Sequence, residues 1–190
     1  KEGFPDDLTQ QLNDEYRPTF DAIEACTKPV ISAINGAAAG VSLSVALSCD
    51  LTVMADNAFL LAPFTTIGLI PDGGAHFLMG RQLGYKRAFE ILVEAQRVPA
   101  ADALEYGLVN KVVPGDELQE ATLKWADSFA DRAPMAMAAI KKILRGAMHQ
   151  SFDAVYREEA VEQQVCRLSE DSTEGITAFL EKRTPSFKGK

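Results

Sequence analysis

Leu8, Leu12, Tyr16, Phe20 and Ile23 recur at helical spacing, so residues 8–26 read as an amphipathic helix, bent where Pro18 removes a backbone donor. Residues 29–34 (PVISAI) are apolar and rich in β-branched side chains, and they end at Asn35-Gly36: a short buried strand running into a turn. Ala37, Ala38, Ala39 and Gly40 follow with almost no side chain, and residues 41–49 are apolar enough to wind as a buried helix. A small-residue turn lets another molecule approach the backbone, and the free N–H groups of the helix's first turn would face it. The same residues are also read as plain tight strand–helix packing.

Further short strands are expected at residues 51–55 and 58–61, then a loop over 63–70 into Pro71-Asp72-Gly73-Gly74, where a helix should start. Helices follow at 85–95 and 99–106, the latter with Pro99 near its first turn and Gly107 in the stop position, and then a strand at 108–113. After Pro114-Gly115 only helices are expected, at 116–132, 134–148, 151–170 and 172–182, with breaks at Ala133-Pro134, His149-Gln150-Ser151 and near Asp171-Ser172. The chain thus divides into an α/β core over residues 1–115 and a helical region over 116–190. So many helices after the last strand offer a surface for packing on another subunit.

Composition narrows the function. With 190 residues and 47% hydrophobic content the chain buries a real core, and a net charge of −8 argues against nucleic acid or an anionic membrane as the main partner. The last ten residues run against that trend, because Lys182, Arg183, Lys188 and Lys190 face the single acid Glu181. This basic tail is either solvated charge or a hold for a phosphate-bearing ligand. Cys26, Cys49 and Cys166 are odd in number and far apart, which fits reduced thiols in a reducing compartment. His76 and His149 have no partners at metal-ligand spacing, so no metal is expected. No run of apolar residues is long enough to span a bilayer, and no secretory signal follows Lys1.

The motifs KPVISAINGAAAG (28–40), SCDLTVMADNAFL (48–60), IGLIPDGGAHFL (67–78), ALEYGLVNKVVP (103–114) and AFLEKR (178–183) occur in the order and spacing of one family. On them the chain resembles the crotonase, or enoyl-CoA hydratase/isomerase, superfamily. The resemblance implies a spiral of ββα units with a C-terminal helical trimerisation region, and assembly as a homotrimer or a dimer of trimers. It implies an acyl-CoA thioester as ligand, with no cofactor beyond the CoA of the substrate. Its thioester oxygen would sit between two backbone N–H groups, the second being that of Val41, with Ala37, Ala39 and Gly40 alongside. The first donor would lie in a segment preceding Lys1, so the resemblance makes this chain a family member without its first strands. Localisation would be cytoplasmic in a bacterium and mitochondrial or peroxisomal in a eukaryote.

The resemblance also bears on the reaction. Family hydratases use two glutamates, and those positions are Ser44 and Phe64 here, neither a carboxylate. Asp72 matches the place where some enoyl-CoA isomerases of the family carry their single acid. One base suffices for a Δ3,Δ2-enoyl-CoA isomerase, which removes a C2 proton and returns it to C4 while the oxyanion hole holds the dienolate. Leu61, Phe64, Leu69, Ile70 and Phe77 would keep the site dry and raise the Asp72 pKa. Phe179 and Lys182 match positions near the CoA of relatives. Each residue has a plainer reading: Asp72 as a helix N-cap, Ser44 as a small packed residue, Phe64 as a core wall, Phe179 as helix packing and Lys182 as a solvated cation. Two rival functions stay open, a dehalogenase-like enzyme with Asp72 as nucleophile and a non-catalytic crotonase that binds acyl-CoA or a protein partner.

Overall fold

The computed structural model describes residues 7–190. It forms two compact units, one made of the residues up to Cys26 with Val30–Leu123 and the other of Thr27–Pro29 with Lys124–Lys190.

The first unit opens with α1 (Leu8–Gln11) and α2 (Arg17–Ala25), joined without a break by a π-helical turn over Leu12–Tyr16. The expected irregularity at Pro18 therefore takes the form of a widened turn just before it. The Arg17 N–H bonds to the Leu12 carbonyl, five residues back, which makes room for a ring that cannot sit in a regular turn. Next come β1 (Ile31–Ile34), β2 (Ala37–Ala39), α3 (Val41–Ser48), β3 (Leu51–Ala55), β4 (Phe59–Leu61) and a 3₁₀ turn over Pro63–Ile67. They are followed by α4 (Ala75–Leu83), α5 (Tyr85–Val93), β5 (Val98–Pro99), α6 (Ala100–Glu105) and β6 (Lys111–Val113).

The strands fall into two sheets. β1, β3 and β6 form a parallel sheet in the order β1-β3-β6, while β2 pairs in parallel with β4, and β4 pairs antiparallel with β5. The pairs β1-β2 and β3-β4 thus each give one strand to each sheet before the chain turns into helix, the ββα repeat of a spiral, whereas α6 separates β5 from β6. β3 lies between two neighbours and is apolar apart from the buried Thr52, and Val53, Met54 and Ala55 are fully buried. Polar groups in this layer are satisfied: Ser32 Oγ donates to Thr52 Oγ1 at 2.9 Å, and Asn110 Oδ1 accepts from the Thr52 amide at 2.8 Å. Ala37–Ala39, expected as a turn, is a strand, in register with Phe59–Leu61. Alanine has little strand preference of its own, and the pairing with β4 overrides it.

Helix α7 (Leu118–Ala130) carries the chain across the boundary between Leu123 and Lys124. The second unit contains α8 (Pro134–Ala147), α9 (Phe152–Arg167) and α10 (Glu170–Glu181). The break before α10 falls at Leu168-Ser169, upstream of the Asp171-Ser172 position that the sequence suggests, because Ser169 Oγ caps the helix by accepting from the Ser172 amide at 3.0 Å. The tail then folds back on α10. Asp171, only 3% exposed, accepts from the amides of Lys188 at 2.6 Å and Gly189 at 2.8 Å. Arg183 forms a two-pronged pair with Glu174 at 2.6 and 2.8 Å and reaches Glu181 at 2.7 Å. Those bonds, with one from the Ser186 amide, hold the Glu174 carboxyl at about 2. Of the basic tail, Arg183 is therefore already engaged. Among the described residues no helix is long and apolar enough to cross a membrane.

Candidate active site

The start of α3 is shaped by Gly40. Its φ of 64° and ψ of −135° are open to glycine alone, and its amide donates to the Leu61 carbonyl at 3.0 Å, tying β2 and β4 to the helix. A Cβ at Gly40 would stand 3.8 Å from Phe64 Cζ, so the aromatic ring lies against this corner. Val41 follows as the first helical residue, where an amide has no carbonyl one turn back to bond. α3 is buried on several sides, with Leu43 1%, Ser44 0% and Leu47 4% exposed, so its apolar sequence matches a core helix whose N-terminus is its open end.

The Asp72 loop packs on that first turn. After the 3₁₀ turn, Gly68 adopts φ 75° and the Leu69 amide returns to the Phe64 carbonyl at 2.9 Å, which folds the loop tightly between the two side chains. Pro71 is buried, and Gly73 with φ 59° presses on α3: a Cβ there would lie 2.8 Å from Ser44 Cβ, 2.8 Å from Phe20 Cζ and 3.2 Å from Val41 Cγ2. Ser44 Oγ donates to the Asp72 main-chain carbonyl at 2.7 Å.

The Asp72 carboxyl does not cap α4. The cap position belongs to Gly74, which has a left-handed backbone, and no side chain bonds to the helix's first amides. Instead, Asp72 Oδ1 is buried with no hydrogen-bond partner. Burial pushes the carboxyl above its ordinary value of 3.8, partly offset by a bond from its own amide. The helix-cap reading of this aspartate fails on these contacts, and the buried oxygen is left without a structural use.

The other sequence candidates divide. Leu61, Phe64 and Leu69 are half-buried around the loop, but Ile70 is 75% and Phe77 46% exposed. Phe77 lies off the face of α4 that buries Ala75 and Met79, and Arg81 Cζ sits 4.9 Å above its ring. Ala39 is half-buried and Ala37 exposed on β2. Phe179, 82% exposed, and Lys182, whose φ of 55° ends α10, belong to the second unit. His76 and His149 are exposed, the three cysteines are free thiols, and no group of metal-ligating side chains occurs among the described residues. The roles of Ser44 and Gly73 in holding the Asp72 loop were not foreseen. The one sequence signal for them is a small residue at the fourth position of a helix together with two glycines after the acid.

Comparisons with known proteins agree with this architecture. A family model described as enoyl-CoA hydratase/isomerase matches residues 3–190. The chain is 36% identical to a probable enoyl-CoA hydratase of Rhodobacter capsulatus, covering 96% of this chain and 71% of that protein. It is 32% identical to the 1,2-epoxyphenylacetyl-CoA isomerase of Escherichia coli, covering 99% of this chain and 72% of that one. Among solved structures, an enoyl-CoA hydratase from Bacillus anthracis superposes with a TM-score of 0.94 at 32% identity, covering 99% of this chain and 73% of its own.

Proposed function

The chain belongs to the enoyl-CoA hydratase/isomerase family, and from that premise we propose that it moves a double bond in an acyl-CoA thioester, as a Δ3,Δ2-enoyl-CoA isomerase does, with Asp72 carrying the proton. The observation behind this reading is the buried, unpartnered Asp72 Oδ1 on a loop packed against the first turn of α3. Ionised Asp72 takes the proton from C2 of a 3-enoyl thioester, and the C–H electron pair passes into the conjugated dienolate. The Val41 N–H, free of an intrahelical bond, donates to the thioester oxygen on which that charge settles. Protonated Asp72 then returns its proton to C4, which leaves the double bond between C2 and C3. No water or redox partner is consumed.

One carboxyl suffices for this cycle, and the two positions at which the family's hydratases carry glutamates hold Ser44, wholly buried and bonded to main chain, and Phe64. The relative named as an isomerase acts on a CoA thioester by its name, and this supports the same class of ligand here. The test follows double-bond migration in a 3-enoyl-CoA and water addition to a 2-enoyl-CoA in parallel. Migration without hydration is the expected result. Hydration as the faster reaction would refute the proposal, and bound acyl-CoA with neither activity would move the protein to the non-catalytic class.

The pH dependence follows from the direction of the Asp72 shift. The base must be ionised, so kcat/KM should rise with pH along an acid limb displaced above the ordinary aspartate value of 3.8. An acid limb at or below that value would show that Asp72 is not the titrating base. Assembly as a homotrimer or a dimer of trimers is part of the same proposal. It is supported by the large apolar side chains that the second unit exposes, among them Phe152 at 80%, Leu168 at 76% and Leu180 at 74%. Light scattering should give a mass of three or six chains, and a monomer at micromolar concentration would contradict it.

A further inference from the structure

Ser44 holds the Asp72 loop in a way that simple packing does not require. Its side chain is completely buried and its Oγ reaches the Asp72 carbonyl at 2.7 Å, across 28 positions of sequence. That carbonyl already accepts from the Ala75 amide at 3.1 Å, so the hydroxyl is not needed to satisfy it. The second bond adds a directional hold on the residue that carries the unpartnered carboxyl. On the next residue, the close approach of Gly73 to Ser44 Cβ and Val41 Cγ2 leaves no space between loop and helix. Hydroxyl and small size thus act together: one fixes the main chain of Asp72, the other lets that chain lie on the turn that presents the Val41 amide.

We infer that Ser44 is a positioning residue for the Asp72 carboxyl, setting where it stands relative to the first turn of α3. The inference rests on the single-carboxylate reading above. A displacement of about 1 Å between base and carbon costs on the order of 100-fold in rate, so losing one of two anchors should be visible in turnover well before it is visible in folding.

The experiment measures deuterium exchange at C2, double-bond migration with 3-hexenoyl-CoA and the thermal midpoint for the parent protein, Ser44→Ala and Asp72→Asn. Ser44→Ala is expected to lower kcat between ~10- and ~100-fold with KM within about twofold. A merely structural role for a small side chain predicts parental turnover in Ser44→Ala, because alanine is smaller than serine. Parental turnover in Ser44→Ala overturns the inference. If Ser44→Ala does not fold, Ser44→Cys replaces it, with similar size and only a weak S–H donor, and the same loss is expected. An Asp72→Asn protein that still exchanges at the parental rate refutes the single-carboxylate reading itself. Lost exchange in Asp72→Asn beside intact exchange in Ser44→Ala refutes only the positioning role.

Discussion

Asp72→Asn should lower the rate of double-bond migration at least ~100-fold, about 2.7 kcal/mol of transition-state stabilisation, and should do so without loss of stability. The substitution is nearly isosteric, and the Ser44 anchor survives it because that bond goes to the main chain. What disappears is the ability to take a proton. Stability should move the other way from activity. Burial raises the carboxyl pKa in the folded protein, so the native state holds the proton more tightly than the unfolded chain. Its contribution to stability is full below the unfolded value and is lost as pH rises through the raised one. At neutral pH the ionised group therefore costs the fold something, and a neutral amide should leave the thermal midpoint equal or higher. Melting curves and migration rates on the same preparation check both halves. An asparagine variant with parental rate removes Asp72 from the chemistry, and one that unfolds shows the carboxyl to be structural.

The elements read most directly from sequence are those whose order is local. β1 and β3 are short and mostly apolar, each with one hydroxyl residue, and α3 is a run of apolar and small residues bounded by Gly40 and Cys49. Capping chemistry is local too, yet acids and a second serine stand just after Ser169, and only the bond to the Ser172 amide tells which residue caps. β2 illustrates the opposite case, a strand made of alanines that exists because β4 is there to pair with it. At the site, the raised pKa of the Asp72 carboxyl was legible from the apolar residues of its motif, and the missing partner of its Oδ1 was not. Whether an aspartate before two glycines caps the next helix or stands unpaired depends on backbone angles at Gly73 and Gly74 and on a serine 28 residues away. Exposure is likewise set by geometry: Ile70 and Phe77 are apolar in sequence, but helix and loop geometry leave them exposed.

Gly73→Ala should be the most damaging single methyl in the first unit, costing about 3 kcal/mol and, for a chain of this size, roughly 10 °C in thermal midpoint. Two penalties combine there. The φ of 59° is strained for any residue with a Cβ, and the Cβ would stand 2.8 Å from that of Ser44, which is close to its own backbone and cannot swing away as the tip of Phe20 can. Two other glycines separate these contributions. Gly68 has φ 75° but open space around a Cβ, so Gly68→Ala should show the conformational part alone, about 1 kcal/mol. Gly36 has neither a positive φ nor a neighbour within 4 Å, so Gly36→Ala should be close to neutral. Denaturant unfolding of the three variants gives the ordering. If Gly73→Ala proves no worse than Gly68→Ala, the loop does not press on α3, and the close packing of Gly73 on Ser44 and Val41 has to be abandoned. If the ordering holds, residual migration in Gly73→Ala should fall further than its folded fraction, because the loop that must move aside for the new methyl is the one that carries the base.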